Sequence, residues 1–437
     1  MTLPVDPSSH AGAPASANLR KAGLPFIAIT ICLDVVSHTM VFPVLPRLVE
    51  EMVGGEVSSA ARWVGVLVAA WSVAQFFAAP VIGMLSDRFG RRPVILISIF
   101  GLSIDLAIMA LAPTLAWLLI GRILCGLTAG AQGAAMAYVA DITPQEERAK
   151  SYGWLNAAAW TGVILGPALG GLLGAWDPRA PFWAAAAVAL ANGVYGLIVL
   201  PESLPKERRA PMRWANANPV GSLSLVFSRP GLPMLALILL LLWFAMHAMN
   251  SVFVLYTAYR YQWDPMALGI FCSALGAVNI VVTSQLTGRA VTWLGERKVL
   301  IGGLALQVIG FTAVGLSPTG FWFWIANLPM ALSNIAGPAL QAMMTAKVDP
   351  DEQGRLQGAM MGVGSLTGLF GPIAFTQVFA LAVAAGRGPG WSGLTILAGA
   401  ALTLVAWSLA LAFARDVPAQ AKAEGLPSGA GAVGMSP

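Results

Sequence analysis

Three formally charged residues lie deep inside long apolar stretches of this 437-residue chain: Asp34, Asp105 and Arg122. A charge held within hydrocarbon costs several kcal/mol, on the order of 2.5–3.5 on insertion scales, so such residues are usually kept for function. His38 follows Asp34 by four positions, which puts both on one face of a helix. A carboxyl withdrawn from water is pushed towards its protonated form, and an imidazole titrates near neutrality. An Asp34–His38 pair can therefore take up and release a proton, or merely line a wet cavity. Asp105 and Arg122 fall on successive stretches, where they could neutralise each other or serve transport.

These residues need elements that cross a membrane. The chain is 57% hydrophobic and only 10% charged, against about 25% charged in soluble domains. Apolar runs of about 20 residues, the length that spans hydrocarbon as helix, recur twelve times. They lie near 24–45, 62–84, 94–112, 116–138, 151–174, 181–200, 232–257, 266–287, 298–316, 320–343, 357–382 and 391–414. An N-terminal tail (1–22), a six-helix bundle (23–200), a connector (201–230) with Lys206, Arg208, Arg209 and Arg213, a second bundle (231–415) and a disordered tail (416–437) are expected. No cleavable signal peptide is expected, since the first apolar stretch begins well after Met1. Of the 25 Lys and Arg residues, 19 fall on one side if both termini are cytoplasmic, five on the other, and Arg122 in a span. The positive-inside rule favours that orientation. Cys32, Cys125 and Cys272 fit no disulfide or metal pattern and read as small buried hydrophobes.

The two halves repeat. Gly83-Met-Leu-Ser-Asp-Arg-Phe-Gly90-Arg-Arg92 lies 205 positions before Gly288-Arg-Ala-Val-Thr-Trp-Leu-Gly295-Glu-Arg297, and Gly166-Pro167 maps onto Gly371-Pro372 by the same shift. Out of register by one residue, Thr143–Glu147 parallels Val348–Glu352. Two related bundles with a site between them near the midplane follow. Gly162, Gly166, Gly170 and Gly174 form a ridge without side chains, along which a neighbouring helix can approach closely, and Pro167 bends that helix.

Gly83–Pro93 resembles the loop signature of the major facilitator superfamily. Gly121-Arg122-Ile-Leu-Cys-Gly126 resembles its fourth-helix signature, and Gly162–Gly171 the fifth-helix signature associated with antiporters. With His38–Pro46, Tyr138-Val-Ala-Asp141-Ile-Thr and Leu200-Pro-Glu-Ser203, the chain is most similar to the tetracycline-efflux branch. That resemblance implies an all-α fold of twelve transmembrane helices in two pseudo-symmetric bundles. It also implies a proton-coupled antiporter, not an enzyme, that exports an amphipathic drug through the cytoplasmic membrane.

The resemblance further implies roles. Asp34, Asp105 and Arg122 would be required for transport, with His38 in the proton-coupling set. Ser86, Asp87, Arg91 and Asp141 would form a charge network that latches the cytoplasmic side, and Gly162, Gly166, Pro167 and Gly170 would seal the domain interface against leakage. Gln75 matches a polar family position. His247 and Asn250, one turn apart, and Gln307 are the substrate-contact candidates from the polar residues Asn279, Asn327, Asn334 and Gln341 around them. Family members often carry an acid where Gln307 stands and a histidine where Gln262 stands, so the C-terminal half lacks a buried acid. No metal site, cofactor or nucleic-acid partner is expected; the resemblance implies a divalent cation carried with the substrate if that substrate is a tetracycline. A monomer is expected. A major facilitator exporter of another drug, sugar or metabolite is the alternative.

Overall fold

The computed structural model describes residues 17–144, 147–209, 226–348, 353–386 and 388–413, with side chains omitted at 17–22, 149–150, 208 and 353–355. Residues 1–16 of the expected N-terminal tail, the expected C-terminal tail, most of the connector with Arg213, and parts of the Thr143–Glu147 and Val348–Glu352 parallel lie outside the described residues, and residues 17–22, expected as tail, begin the first helix. Every described element is helical. Hydrocarbon offers backbone groups no partner, so each apolar segment must satisfy its own.

The first bundle runs α1 (Ala17–Met40), α2 (Val57–Phe89), α3 (Arg91–Leu111), α4 (Leu115–Thr128, resuming at Ala131–Ile142), α5 (Arg148–Trp176) and α6 (Ala180–Val199). The second runs α7 (Leu232–Asn250), α8 (Pro265–Val281, then Val282–Leu286 and Thr287–Leu294), α9 (Glu296–Leu316), α10 (Gly320–Ser333 and Ala336–Thr345), α11 (Gln353–Ala384) and α12 (Leu394–Phe413). Eleven helices among the described residues are individually long and apolar enough to cross a membrane. The twelfth expected span, 320–343, is α10, broken at Asn334-Ile335 into two shorter pieces.

The repeat holds to the residue. Helix α3 starts and ends 205 positions before α9, and the first part of α4 does so before that of α10. The break at Ala129-Gly130 recurs at Asn334-Ile335. Gly90 and Gly295 both take positive φ, 109° and 81°, where only glycine turns the chain without strain. Pro80 interrupts α2 where a wide π turn, Val282–Leu286, interrupts α8.

Within the bundles α1 packs on α5 and α6, α2 on α4, and α3 on α6; in the second half α7 packs on α11 and α12, and α9 on α10 and α12. The halves join chiefly through α5 with α8 and α2 with α11, and the repeat exchanges these two pairs. Large apolar side chains such as Phe77, Ile97, Ile198 and Leu381 are exposed on the outer face. Water would penalise so many, whereas lipid tails do not. Outside the spans, Glu56 precedes α2 and accepts the Ser58 and Ser59 hydroxyls at 2.5 and 2.7 Å, which holds its carboxyl below the usual range.

Candidate functional site

Helices α1 to α4 surround a cavity of about 230 Å³ lined by Asp34, His38, Trp71, Gln75, Ser98 and Thr128. The four-residue spacing of Asp34 and His38 carries both onto this wall, as the helical period requires. Asp34 is 9% exposed. The Cys125 thiol lies 3.5 Å from His38 Nε2.

Asp105 does not reach the cavity. It is fully buried behind it, against Gly121 and beside the Cys125 thiol. Arg122 forms no ion pair within 4.0 Å among the described residues; its Nη2 donates to Met109 Sδ at 3.1 Å. Mutual neutralisation of Asp105 and Arg122, one of the two alternatives the sequence left open, is therefore absent as a direct pair in this conformation. A buried carboxyl without a direct ion-pair partner is expensive. Such a cost is kept for use more readily than for folding.

A larger cavity of about 610 Å³ opens between the bundles. Trp71, Gln75 and Pro80 on α2 face His247 on α7 and Ser365 and Gly368 on α11 across it. Trp71 and Gln75 line both cavities, so the Asp34 site and the inter-bundle space meet at these two side chains. Trp71 Nε1 is buried without a partner. Sequence reasoning misses Trp71, whose only signal was an indole one turn before Gln75.

The bundles touch on the side away from the Gly83–Pro93 loop. A side chain at Gly65 would strike Thr376, one at Gly269 the Pro167 carbonyl, and one at Gly171 the Pro265 carbonyl. Ser273 Oγ donates to the Ile164 carbonyl at 2.7 Å, and the Phe42 and Phe253 rings stack 6.3 Å apart. The large cavity lies on the loop side of these seams. The glycine ridge is corrected in its partner. Gly162, Gly166 and Gly170 face α1 of their own bundle, at Cys32, Thr39 and Met40, whereas Pro167 and Gly171 on the adjoining face make the contact with α8.

The C-terminal candidates separate. His247 lines the inter-bundle cavity, against Gly371. Asn250 lines a third cavity of about 180 Å³ with Asn279 and Asn334. Gln307 is 1% exposed, and its Nε2 donates to Met246 Sδ at 3.3 Å. Gln307 lines none of these three cavities, while Met246, which it touches, lines the third.

The charge network of the loop forms as the sequence implies. Arg91 Nη1 reaches Asp87 Oδ1 at 2.5 Å and Ser86 Oγ at 3.1 Å, and Nε reaches Asp141 Oδ2 at 3.1 Å. A guanidinium suits this work because its fork can donate in several directions at once. Two further members carried no role in the sequence reading. Glu202 Oε1 accepts the backbone N–H groups of Arg91, Ser203 and Leu204 at 2.9, 3.0 and 3.1 Å, and Ser203 Oγ donates to Asp141 Oδ2 at 3.1 Å. The carboxylate thereby satisfies an orphan donor at the α3 N-terminus, where negative charge is favoured.

Residues 27–372 match the family model of the Major Facilitator Superfamily. The tetracycline resistance protein of class C from Escherichia coli is 38% identical over 86% of this chain and 93% of its own length. The class B protein from Escherichia coli is 30% identical over 90% and 96%. Among solved structures, a bacterial homolog of the human lysosomal transporter Spinster, inward-facing and occupied, superposes with a TM-score of 0.75 at 18% identity, covering 92% of this chain and 98% of that one.

Proposed function

The chain belongs to the major facilitator superfamily and, within it, to the family of the tetracycline resistance proteins, and from that premise we propose that it exports a tetracycline-like amphipathic drug in exchange for protons. The observation that carries this reading is the junction at Trp71 and Gln75, where a cavity holding Asp34 and His38 meets the cavity between the bundles. A proton arriving at Asp34 can thus be felt by a molecule held between the halves.

Both termini and the Gly83–Pro93 loop face the cytoplasm, a reading the positive-inside charge asymmetry supports. The large cavity then opens inwards and the tight seams close the outside. Drug enters between the bundles from the cytoplasm. The bundles rock about the bound molecule, breaking the Arg91 network as the outer seams part, in the manner of repeat-built transporters. Protonation of the Asp34–His38 site from outside favours release of the drug there, and Asp105 and Arg122 respond behind it. Trp71, Gln75 and His247 contact the drug. The drug travels as its complex with a divalent cation, and one chain suffices for the cycle.

Everted vesicles test the reading. Tetracycline added with magnesium should enter against its gradient and release protons from the lumen. Folded protein that moves no protons on addition of tetracycline, or of any other drug tried, overturns it. Uptake that persists unchanged in EDTA removes the cation from the account.

A further inference from the structure

The 180 Å³ cavity of the second bundle is the repeat twin of the Asp34 cavity. Cys125 and Ala129 line one, and Met330 and Asn334, each 205 positions on, line the other. The chemistry of the twins differs. No Asp, Glu, His, Lys or Arg lines the second cavity, so it offers nothing to a charged group and suits a neutral one.

Its walls suit an aromatic ring. Phe253 and Phe271 lie 5.4 Å apart and nearly parallel, and the thioethers of Met246, Met249 and Met330 surround them. Sulfur packs favourably against ring edges. An apolar cavity of about 150 Å³ accommodates benzene, so this one has room for a substituted ring and not for a whole polycyclic drug.

Its rim offers hydrogen bonds. Asn334 Nδ2 donates to Asn279 Oδ1 at 2.7 Å, which leaves the Asn334 carbonyl and the Asn279 amino group for a ligand. Asn250, exposed at the C-terminal end of α7, brings a third carboxamide. Phe42, from the end of α1, stacks on Phe253 and closes the cavity from the opposite bundle.

We propose that this cavity is an aromatic-ring subsite for the exported molecule. It takes one uncharged ring of a phenol-, ketone- or amide-bearing polycycle, with the substituents on Asn250, Asn279 and Asn334. The two repeats thereby divide the work, the first handling protons and the second holding the substrate. Parting of the bundles withdraws Phe42 and loosens the ring on the outward side. This subsite rests on the drug-export reading above.

The test is tetracycline binding to the full chain in lipid nanodiscs, with thermal unfolding as the check on folding. Asn279→Leu and Asn334→Leu should each weaken binding about three- to tenfold, as loss of a hydrogen bond does. Their double variant should lose less than the product, because the two side chains share a bond. Leu275→Phe, which fills the cavity, should weaken binding at least tenfold. Wild-type binding with all four folded variants within twofold of it overturns the subsite and leaves the export reading standing. Absence of binding by the folded wild type overturns both.

Discussion

Arg91 Nε lies 3.1 Å from Asp141 Oδ2, and this single contact ties the start of α3 to the end of α4. The same guanidinium holds Asp87 at the end of α2, so three helices of the first bundle share one cation. The Arg91 side chain is 12% exposed and that of Asp141 22%, so water screens this pair less than a surface bridge. Arg91→Lys keeps the charge and loses the fork. It should cut tetracycline efflux severely, by tenfold or more, with a fall in melting temperature of only a few degrees. Efflux in vesicles beside a thermal melt reads both. Wild-type efflux from Arg91→Lys would remove the latch.

Glu202 is held to a stability role. Its Oε1 accepts three backbone N–H groups, and leaving a buried donor unmet costs about 1–3 kcal/mol. Glu202→Ala should therefore destabilise the protein by about that much. Glu202→Gln, which retains an acceptor oxygen, should recover most of the loss. Equal melting temperatures for the two variants would show that the carboxylate oxygen does not anchor the α3 N-terminus.

The glycines of α5 separate folding from gating. A methyl at Gly170 meets the Met40 carbonyl within the first bundle, and one at Gly171 meets the Pro265 carbonyl in the second. Gly170→Ala should reduce the yield of folded protein, since close backbone approach is what drives helices together in lipid. Gly171→Ala should fold and yet populate the state with its outer seam parted. A cysteine placed at Ile164 should then label faster with an impermeant maleimide from outside. The same labelling rate in Gly171→Ala and in the parent would count against the seam as a gate.

Much of this was legible in the residues. A helix of apolar residues must satisfy its own backbone, so twelve spans follow from hydropathy alone. The twelfth, α10, is broken at Asn334-Ile335, and nothing in its composition marks the break; its counterpart at Ala129-Gly130 does so only because glycine is present. Asp87, Arg91 and Asp141 meet, a grouping that only the resemblance implied, since spacing does not bring Asp141 to the Gly83–Pro93 loop. The partners of Gly162, Gly166 and Gly170 were not legible. Spacing defines a smooth face and is silent on which helix lies against it. The partner of Gln307 was not legible for a similar reason: a polar residue in a span declares that it needs a partner, and here a thioether meets that need. Glu202 escaped notice because its work is done for backbone donors, which every sequence has.

The central claim is that Asp34 carries the coupled proton, and proteoliposomes with an imposed pH gradient test it most directly. Asp34→Asn removes the titratable group and leaves a side chain of the same shape. Gradient-driven tetracycline transport should vanish, while tetracycline exchange at equal pH, which needs no net proton movement, should persist. An Asp34→Asn protein that still transports tetracycline up its gradient, with protons moving at the wild-type ratio, would contradict the account.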